Sequence, residues 1–345
     1  MIHCGANNKT AEQIADVIGR GKDGKEILQY YSEFVKRHKL QDVGSGTKYR
    51  SLVDEESVKV NIAIKIFESQ SISLLPEYQN LIKDKFDSQS QKVNFADKVA
   101  AATEINYFIR NATNGMIKSV ITPDEINQNT DIALINAIHF TGIWEQPFED
   151  RQKKIFYSNP EREIDMMKIF IEAEADWNLT YMENEWHALG IPYKSRKAWL
   201  YIILPTKKDG LNELIKKFDY EQFKNVTTRD ESNKLNVTIP VIETEASLDL
   251  AENLKKLGII DVFKDNCDLS KMLQGSNKIN KAVHKAAIKI DEKGTEASAA
   301  TVTYQFARSA PGFFVADHPF LYMITSTENS VSTSPKDILF MGTFC

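Results

Sequence analysis

The sequence predicts an α+β fold, and three observations carry that prediction. Apolar stripes at helical spacing crowd the first 130 residues, whereas strand-like runs dominate after them. Segregation of this kind belongs to α+β architectures rather than to alternating α/β ones. No internal repeat, low-complexity tract or Pro/Gly-rich linker divides the chain, so 1–345 reads as a single domain. With 42% apolar and 26% charged residues, the composition is that of an ordinary globular protein.

Taken in order, Met1 to Ile18 reads as the end of one helix, a turn at Gly5-Ala6-Asn7-Asn8, and a helix capped by Thr10 with Gln13 three residues on. Ile27 to Leu40 carries a second stripe (Ile27, Tyr31, Phe34, Val35). Val58 to Phe67 alternates as a strand. Leu81 to Val93 and Phe95 to Arg110 read as helices, the second ending near Asn114-Gly115. Ile132 to Phe140 is apolar enough to be a strand buried on both faces.

Several function classes find no support. A net charge of -5 leaves no electrostatic footprint for nucleic acid or an anionic membrane, and no apolar run is long enough to span a bilayer. Cys4, Cys267 and Cys345 are odd in number and far apart, which argues for free or buried thiols rather than a disulfide framework. Hydrolase, metalloprotease and nucleotide-binding motifs are missing, and the six histidines never form a metal-ligand pair. The chain therefore does not read as an enzyme and needs no cofactor or metal. Met1 to Gly5 has no apolar core that would make a secretory signal. Five Asn-x-Thr sequons, at Asn8, Asn111, Asn178, Asn225 and Asn236, tilt the other way, toward a secretory route.

The stretch from Lys289 to Phe320 organises the rest. It opens as a strand, with Ala286, Ile288 and Ile290 alternating with Lys285, Lys289 and Asp291. From Gly294 to Thr303 no side chain is bulky, none is proline, and only Glu296 is charged. A flexible Ala/Ser/Thr linker would have this composition too. However, glycine appears once, and the run ends in β-branched residues and Tyr304, which suit a strand. A would-be strand placed where a long loop belongs is commonly functional.

These residues resemble the hinge and reactive-centre loop of the serpin family. The hinge pattern is Glu292-Lys293-Gly294-Thr295-Glu296-Ala297-Ser298-Ala299-Ala300-Thr301, and the family's C-terminal signature is Phe314-Val315-Ala316-Asp317-His318-Pro319-Phe320-Leu321. Similar segments run along almost the whole chain: Met1 to Ile14, Ile105 to Ile109 with Thr113 to Ile117, Asn136 to Trp144 with Pro147-Phe148, Ile191-Pro192-Tyr193, Leu204-Pro205, and Leu257 to Ser270. Phe108 stands where the family usually has tryptophan, and Met116 where lysine is usual. The family's first helix, a strand and most of its second helix have no counterpart ahead of Met1, and the expectation is a truncated member.

The resemblance implies a serpin fold, with helices over a large central mixed sheet plus smaller sheets and an exposed loop at 292–313. It also implies an inhibitor that is consumed as it acts. A protease attacks the loop and forms an acyl-enzyme, and the cut loop enters the main sheet as a new strand. On insertion Thr295, Ala297, Ala299, Thr301 and Thr303 would face the core, and Glu296, Ser298, Ala300 and Val302 the solvent. Pairing about 14 inserted residues at roughly 0.5–1.5 kcal/mol each gives on the order of 7–20 kcal/mol, comparable to a whole domain's stability. The uncut state is then kinetically trapped. In the family the cut residue lies sixteen after the hinge glutamate and commonly eleven before the signature proline, and both counts reach Arg308. The reactive bond is thus Arg308–Ser309. Arginine suits the acidic primary pocket of a trypsin-like serine protease, the implied partner in a covalent acyl complex formed by a monomer. Ala307 and Phe306 argue against a strict dibasic-site protease.

By the same resemblance, Asn136 and His284 match a polar pair that gates the main sheet, and Trp144 the tryptophan where insertion starts. A family cation that pairs with the hinge glutamate is replaced by Val241, which weakens the clamp unless another cation substitutes. The absent N-terminal elements keep a second reading open, a non-inhibitory member with a substrate-like, carrier or chaperone role. The family implies an extracellular setting, with the cytoplasm as the alternative.

Overall fold

The computed structural model describes residues 1–38, 58–149, 151–172, 177–228, 234–275, 278–294, 312–327 and 334–345. Among them are eight α-helices and three sheets. The chain forms two compact units, the first drawn from Met1–Gly46, Val60–His139 and Thr244–Ala287 and the second from Thr47–Lys59, Phe140–Glu243 and Ile288–Cys345.

Helices α1 (Ile2–Gly5), α2 (Asn8–Ile18), α3 (Gly24–His38), α4 (Pro76–Phe86), α5 (Lys98–Ala112) and α8 (Leu250–Lys256) belong to the first unit. So does most of a mixed sheet formed by β1 (Val58–Ser69), β2 (Ser90–Val93), β3 (Ile132–Gly142), β10 (Ile242–Asp249) and β11 (Ile279–Ile290), ordered β10-β11-β3-β1-β2. Helix α5 is started by the Asp97 carboxylate, which accepts from the Ala100 amide at 3.0 Å. Its stripe of Ala101, Ala102, Ile105 and Ile109 repeats every turn and is buried against Ala63, Phe67, Ala133, Ile135, Val283 and Ala287. Each fully buried isoleucine there contributes about 1.5–3 kcal/mol. Every residue of β3 is buried or half-buried, as its apolar composition predicts.

The second unit holds two sheets. β4 (Gln152–Phe156), β5 (Arg162–Ile171), β9 (Leu235–Pro240) and β12 (Gly312–Val315) are ordered β12-β9-β5-β4. β6 (Asn178–Met182), β7 (Trp186–Pro192), β8 (Ala198–Pro205), β13 (Phe320–Thr327) and β14 (Pro335–Phe344) are ordered β14-β13-β8-β7-β6. Helices α6 (Leu211–Lys217) and α7 (Tyr220–Thr227) belong here. All eight residues of β8 are buried, as are all eight of β13, its antiparallel partner.

Two expectations need correction. Thr10 does not cap a helix: α2 starts at Asn8, and the Thr10 hydroxyl instead bonds the Asp261 carboxylate and accepts from the Asp268 amide. Gln13 likewise accepts from the amides of Ile260 and Asp261, so both polar side chains serve a long-range junction. The helix expected over Leu81 to Val93 is α4, which begins earlier, with Pro76 in its first turn, and ends at Asp87. Asp87 is left-handed at φ 46°, which terminates the helix and lets the chain re-enter as β2, parallel to β1.

Of the five sequons, Asn8, Asn111 and Asn225 are exposed, Asn236 is half-buried in β9, and Asn178 is buried beneath α7, where its side-chain amide donates to the Val226 carbonyl. Among the described residues no helix is long and apolar enough to cross a membrane.

Candidate functional site

The site is built at the end of β11. After Ile290 the chain makes a tight turn, Asp291 to Gly294, in which the Asp291 amide donates to the Gly294 carbonyl at 2.8 Å and the Gly294 amide to the Asp291 carbonyl at 3.1 Å. Gly294 sits at φ +118°, a region L side chains rarely adopt. A Cβ there would also lie 2.2 Å from the Gly142 carbonyl oxygen and 2.8 Å from the Trp144 nitrogen. Gly294 is therefore required twice, by its dihedral and by the backbone pressed against it.

That backbone is the exit of β3. Trp144 donates from its amide to the Lys293 carbonyl at 3.3 Å and from its indole Nε1 to the Asp291 carbonyl at 2.8 Å. The Phe148 amide donates to the Glu292 carbonyl at 2.7 Å. Trp144 is buried, stacked on Tyr193 at 4.3 Å with 16° between the rings, and edge-on to Phe148. A forked ion pair braces this aromatic floor: Arg196 Nε and Nη2 reach the two Glu145 carboxylate oxygens at 2.9 and 2.8 Å. The turn that delivers Arg196 has Ser195 and Arg196 at φ 69° and 54°.

Glu292 is paired with a cation, though not from the expected place. Arg151, one residue before β4, donates through Nε to Glu292 Oε2 at 2.7 Å and approaches Asp291 at 4.0 Å. It supplies the cation that Val241 does not. Burial pushes the Glu292 carboxyl up, but the Arg151 hydrogen bond, a backbone hydrogen bond and the charges of Arg151 and Lys293 outweigh it, so the net shift is downward. The Glu292 hydrogen bond raises Arg151 in turn. A carboxylate with a lowered folded-state value contributes stability that is present above its ordinary range, about 4.3, and is lost as pH falls through the folded value. Arg151→Gln is therefore expected to cost about 0.5–1 kcal/mol near neutral pH, as for a half-exposed pair. Thermal melts should show the two midpoints separated at about pH 7 and converging below about pH 4. A gap that persists in acid would assign the loss to packing rather than to the ion pair.

Asn136 on β3 and His284 on β11 are brought together, with Asn136 Oδ1 and His284 Nδ1 3.1 Å apart, the geometry of an Nδ1–H donating to the amide oxygen. Burial lowers the His284 pKa, which keeps the ring neutral. The pair faces an apolar cavity of about 460 Å³ whose walls include Ile62, Ile64, Leu134 and Val283.

Thr295, Ala297, Ala299, Thr301, Arg308 and Ser309 lie outside the described residues. The chain is described again from Gly312, where β12 runs parallel to β9 with Gly312 opposite Leu235 and Val315 opposite Thr238. His318 then fixes the start of β13: Nε2 lies 2.8 Å from the Pro205 carbonyl and Nδ1 2.8 Å from the Asp317 carboxylate. Arg151, Glu145, Arg196 and Phe148 are contributors that sequence reasoning missed. Arg151 and Glu292 are 141 residues apart, and nothing in the Phe148-Glu149-Asp150-Arg151 segment marks its arginine as a hinge partner.

The three-sheet fold and the glycine turn closing on the exit of β3 are the features that define the protein's class. Comparison with known proteins gives that class a family. The model of the family described as Serpin (serine protease inhibitor) matches residues 1–345. Human Serpin B3 is 29% identical over 362 residues, covering all of this chain and 89% of its own. Among solved structures, Serpin48 of the insect Tenebrio molitor, described as highly specific, superposes with a TM-score of 0.80 at 26% identity, covering 99% of this chain and 86% of that one. Human thyroxine-binding globulin complexed with thyroxine superposes at 0.82 with 21% identity, covering 99% and 87%. The chain belongs to the serpin family.

Proposed function

We propose that this chain is a single-domain, monomeric inhibitor of trypsin-like serine proteases that is consumed as it acts, through cleavage of Arg308–Ser309 and insertion of the cut loop beside β11. The observation that carries the reading is the hinge: a glycine turn locked against Trp144 and clamped by Arg151, leading straight into a run of small residues. Such a run enters a sheet without burying bulk or charge. The turn supplies a defined point from which β11 is extended. Trp144 and the Asn136–His284 pair then act as the gate, the first at the point of entry and the second beneath the sheet.

Arg308 sets the target. Its guanidinium matches a buried carboxylate at the base of a primary pocket, where a charge-assisted, bidentate contact gives both energy and geometry. The setting proposed is extracellular, in line with the three exposed sequons.

The decisive experiment is incubation with trypsin followed by a denaturing gel. A band at the summed mass that survives SDS, with trypsin activity lost, is the expected outcome. A cleaved chain with fully recovered trypsin activity would refute inhibition. It would favour the second reading, a carrier or substrate-like member, since a protein of this fold, thyroxine-binding globulin, was solved in complex with thyroxine.

A further inference from the structure

Phe313 is the most exposed large apolar side chain among the described residues, at 74%. It lies on β12, whose side chains alternate: Phe314 is buried at 3%, while Phe313 and Val315 point outward. The alternation is not free to slip. β12 is pinned in register against β9, Phe313 opposite Asn236 and Phe314 opposite Val237, and a one-residue shift would expel Phe314 from the core. An outward phenylalanine has no polar tip to satisfy, so water gains nothing from its exposure. Apolar aromatics of this kind are enriched among the residues that dominate protein–protein contacts.

Its position says what would cover it. Phe313 is four residues beyond Ser309. However the intervening chain runs, four residues span at most about 14 Å. A standard interface of about 800 Å² per partner is roughly 30 Å across. A protease centred on the Arg308–Ser309 bond therefore has Phe313 within the radius of its footprint, on the side that follows the cut.

We propose that Phe313, flanked by Val315, is a docking contact for the attacking protease, seating against an apolar patch on the surface that receives the residues after the cut. The inference rests on the reading of Arg308–Ser309 as the reactive bond. It separates two tasks: Arg308 selects the primary pocket, and Phe313, held on a rigid strand, raises the rate at which a matching enzyme is captured. Being outside the inserting segment, Phe313 has no part in the later partition between inhibition and hydrolysis.

The test compares wild type, Phe313→Ala and Phe313→Leu against trypsin, measuring the second-order rate constant for attack and locating the cut by mass spectrometry. Phe313→Ala is expected to lower that constant about tenfold or more, Phe313→Leu to recover part of it, and the number of molecules consumed per trypsin inactivated to stay the same. Thermal midpoints should match, since the side chain is largely in solvent. Equal rates for all three at Arg308–Ser309 would overturn the docking role and leave the reactive bond standing. Failure of trypsin to cut wild type at that bond would overturn the reactive-bond reading and the docking role with it. A variant that changes only self-association in sedimentation would assign Phe313 to a contact between copies and overturn the proposal.

Discussion

Arg308→Ala is expected to slow attack by trypsin at the loop by about 30- to 3,000-fold. The range follows from truncating one partner of a buried, hydrogen-bonded charge pair, which costs about 2–5 kcal/mol, with each 1.4 kcal/mol worth a factor of ten. Most of that loss comes from the protease side, whose pocket carboxylate is left desolvated and unpaired. Arg308→Lys should retain a substantial part of the rate, because an ammonium keeps the charge while giving up the bidentate fork. Kinetic assays with each variant, with the new N-terminus read by mass spectrometry, check both statements. The thermal midpoint should not move, because the backbone hydrogen bonds that close the turn from Asp291 to Gly294 are untouched by the substitution. Unchanged attack on Arg308→Ala, or a cut after Lys293, would show that counting from Glu292 and from Pro319 had placed the bond wrongly.

Those counts worked from local pattern, and local pattern explains what was legible in this chain. β1 and the end of β11 declare themselves because apolar and polar residues alternate along their sequence, and β3 because it is apolar almost throughout, with every position buried or half-buried. α5 does so because its stripe recurs at the helical period. The segment after Leu81 misleads because its apolar residues suit a helix until Asp87 turns left-handed, and one residue's dihedral is not a periodic signal. Thr10 and Gln13 mislead for a related reason. The spacing of a capping box is present, but the side chains are recruited by Asp261 and Asp268, some 250 positions away. The site divides along the same line. Gly294 and Trp144 stand in recognisable motifs, and the Asn136–His284 pair stands in two of them. Arg151 and the Glu145–Arg196 fork stand in none, because an ion pair needs only two ends of a folded chain to meet. Such a pairing leaves no trace in either segment alone.

Thr295→Arg is expected to turn the protein from inhibitor into substrate. Thr295 is the first residue past the turn that Gly294 closes, so it is the first side chain that must enter the sheet if insertion extends β11. An arginine there would carry an unpaired guanidinium into a site built for a small side chain, at a cost of several kcal/mol. The cost falls at the start of insertion, before new strand pairing has formed to offset it. It therefore raises the barrier and not only the end-point energy. A barrier higher by about 3 kcal/mol slows insertion on the order of a hundredfold, which gives the acyl-enzyme time to hydrolyse. Attack at Arg308 should proceed at nearly the wild-type rate, since thirteen residues separate the two positions. The measurable consequence is the number of molecules consumed per trypsin inactivated, which should rise about tenfold or more as the faster hydrolytic branch takes over. Thr295→Ser is the control, small and uncharged, and should leave that ratio near the wild-type value. If the ratio is unchanged in Thr295→Arg while the SDS-stable complex still forms, then Thr295 stays outside the sheet. Protease capture in this chain would then proceed without extension of β11 from the Gly294 turn.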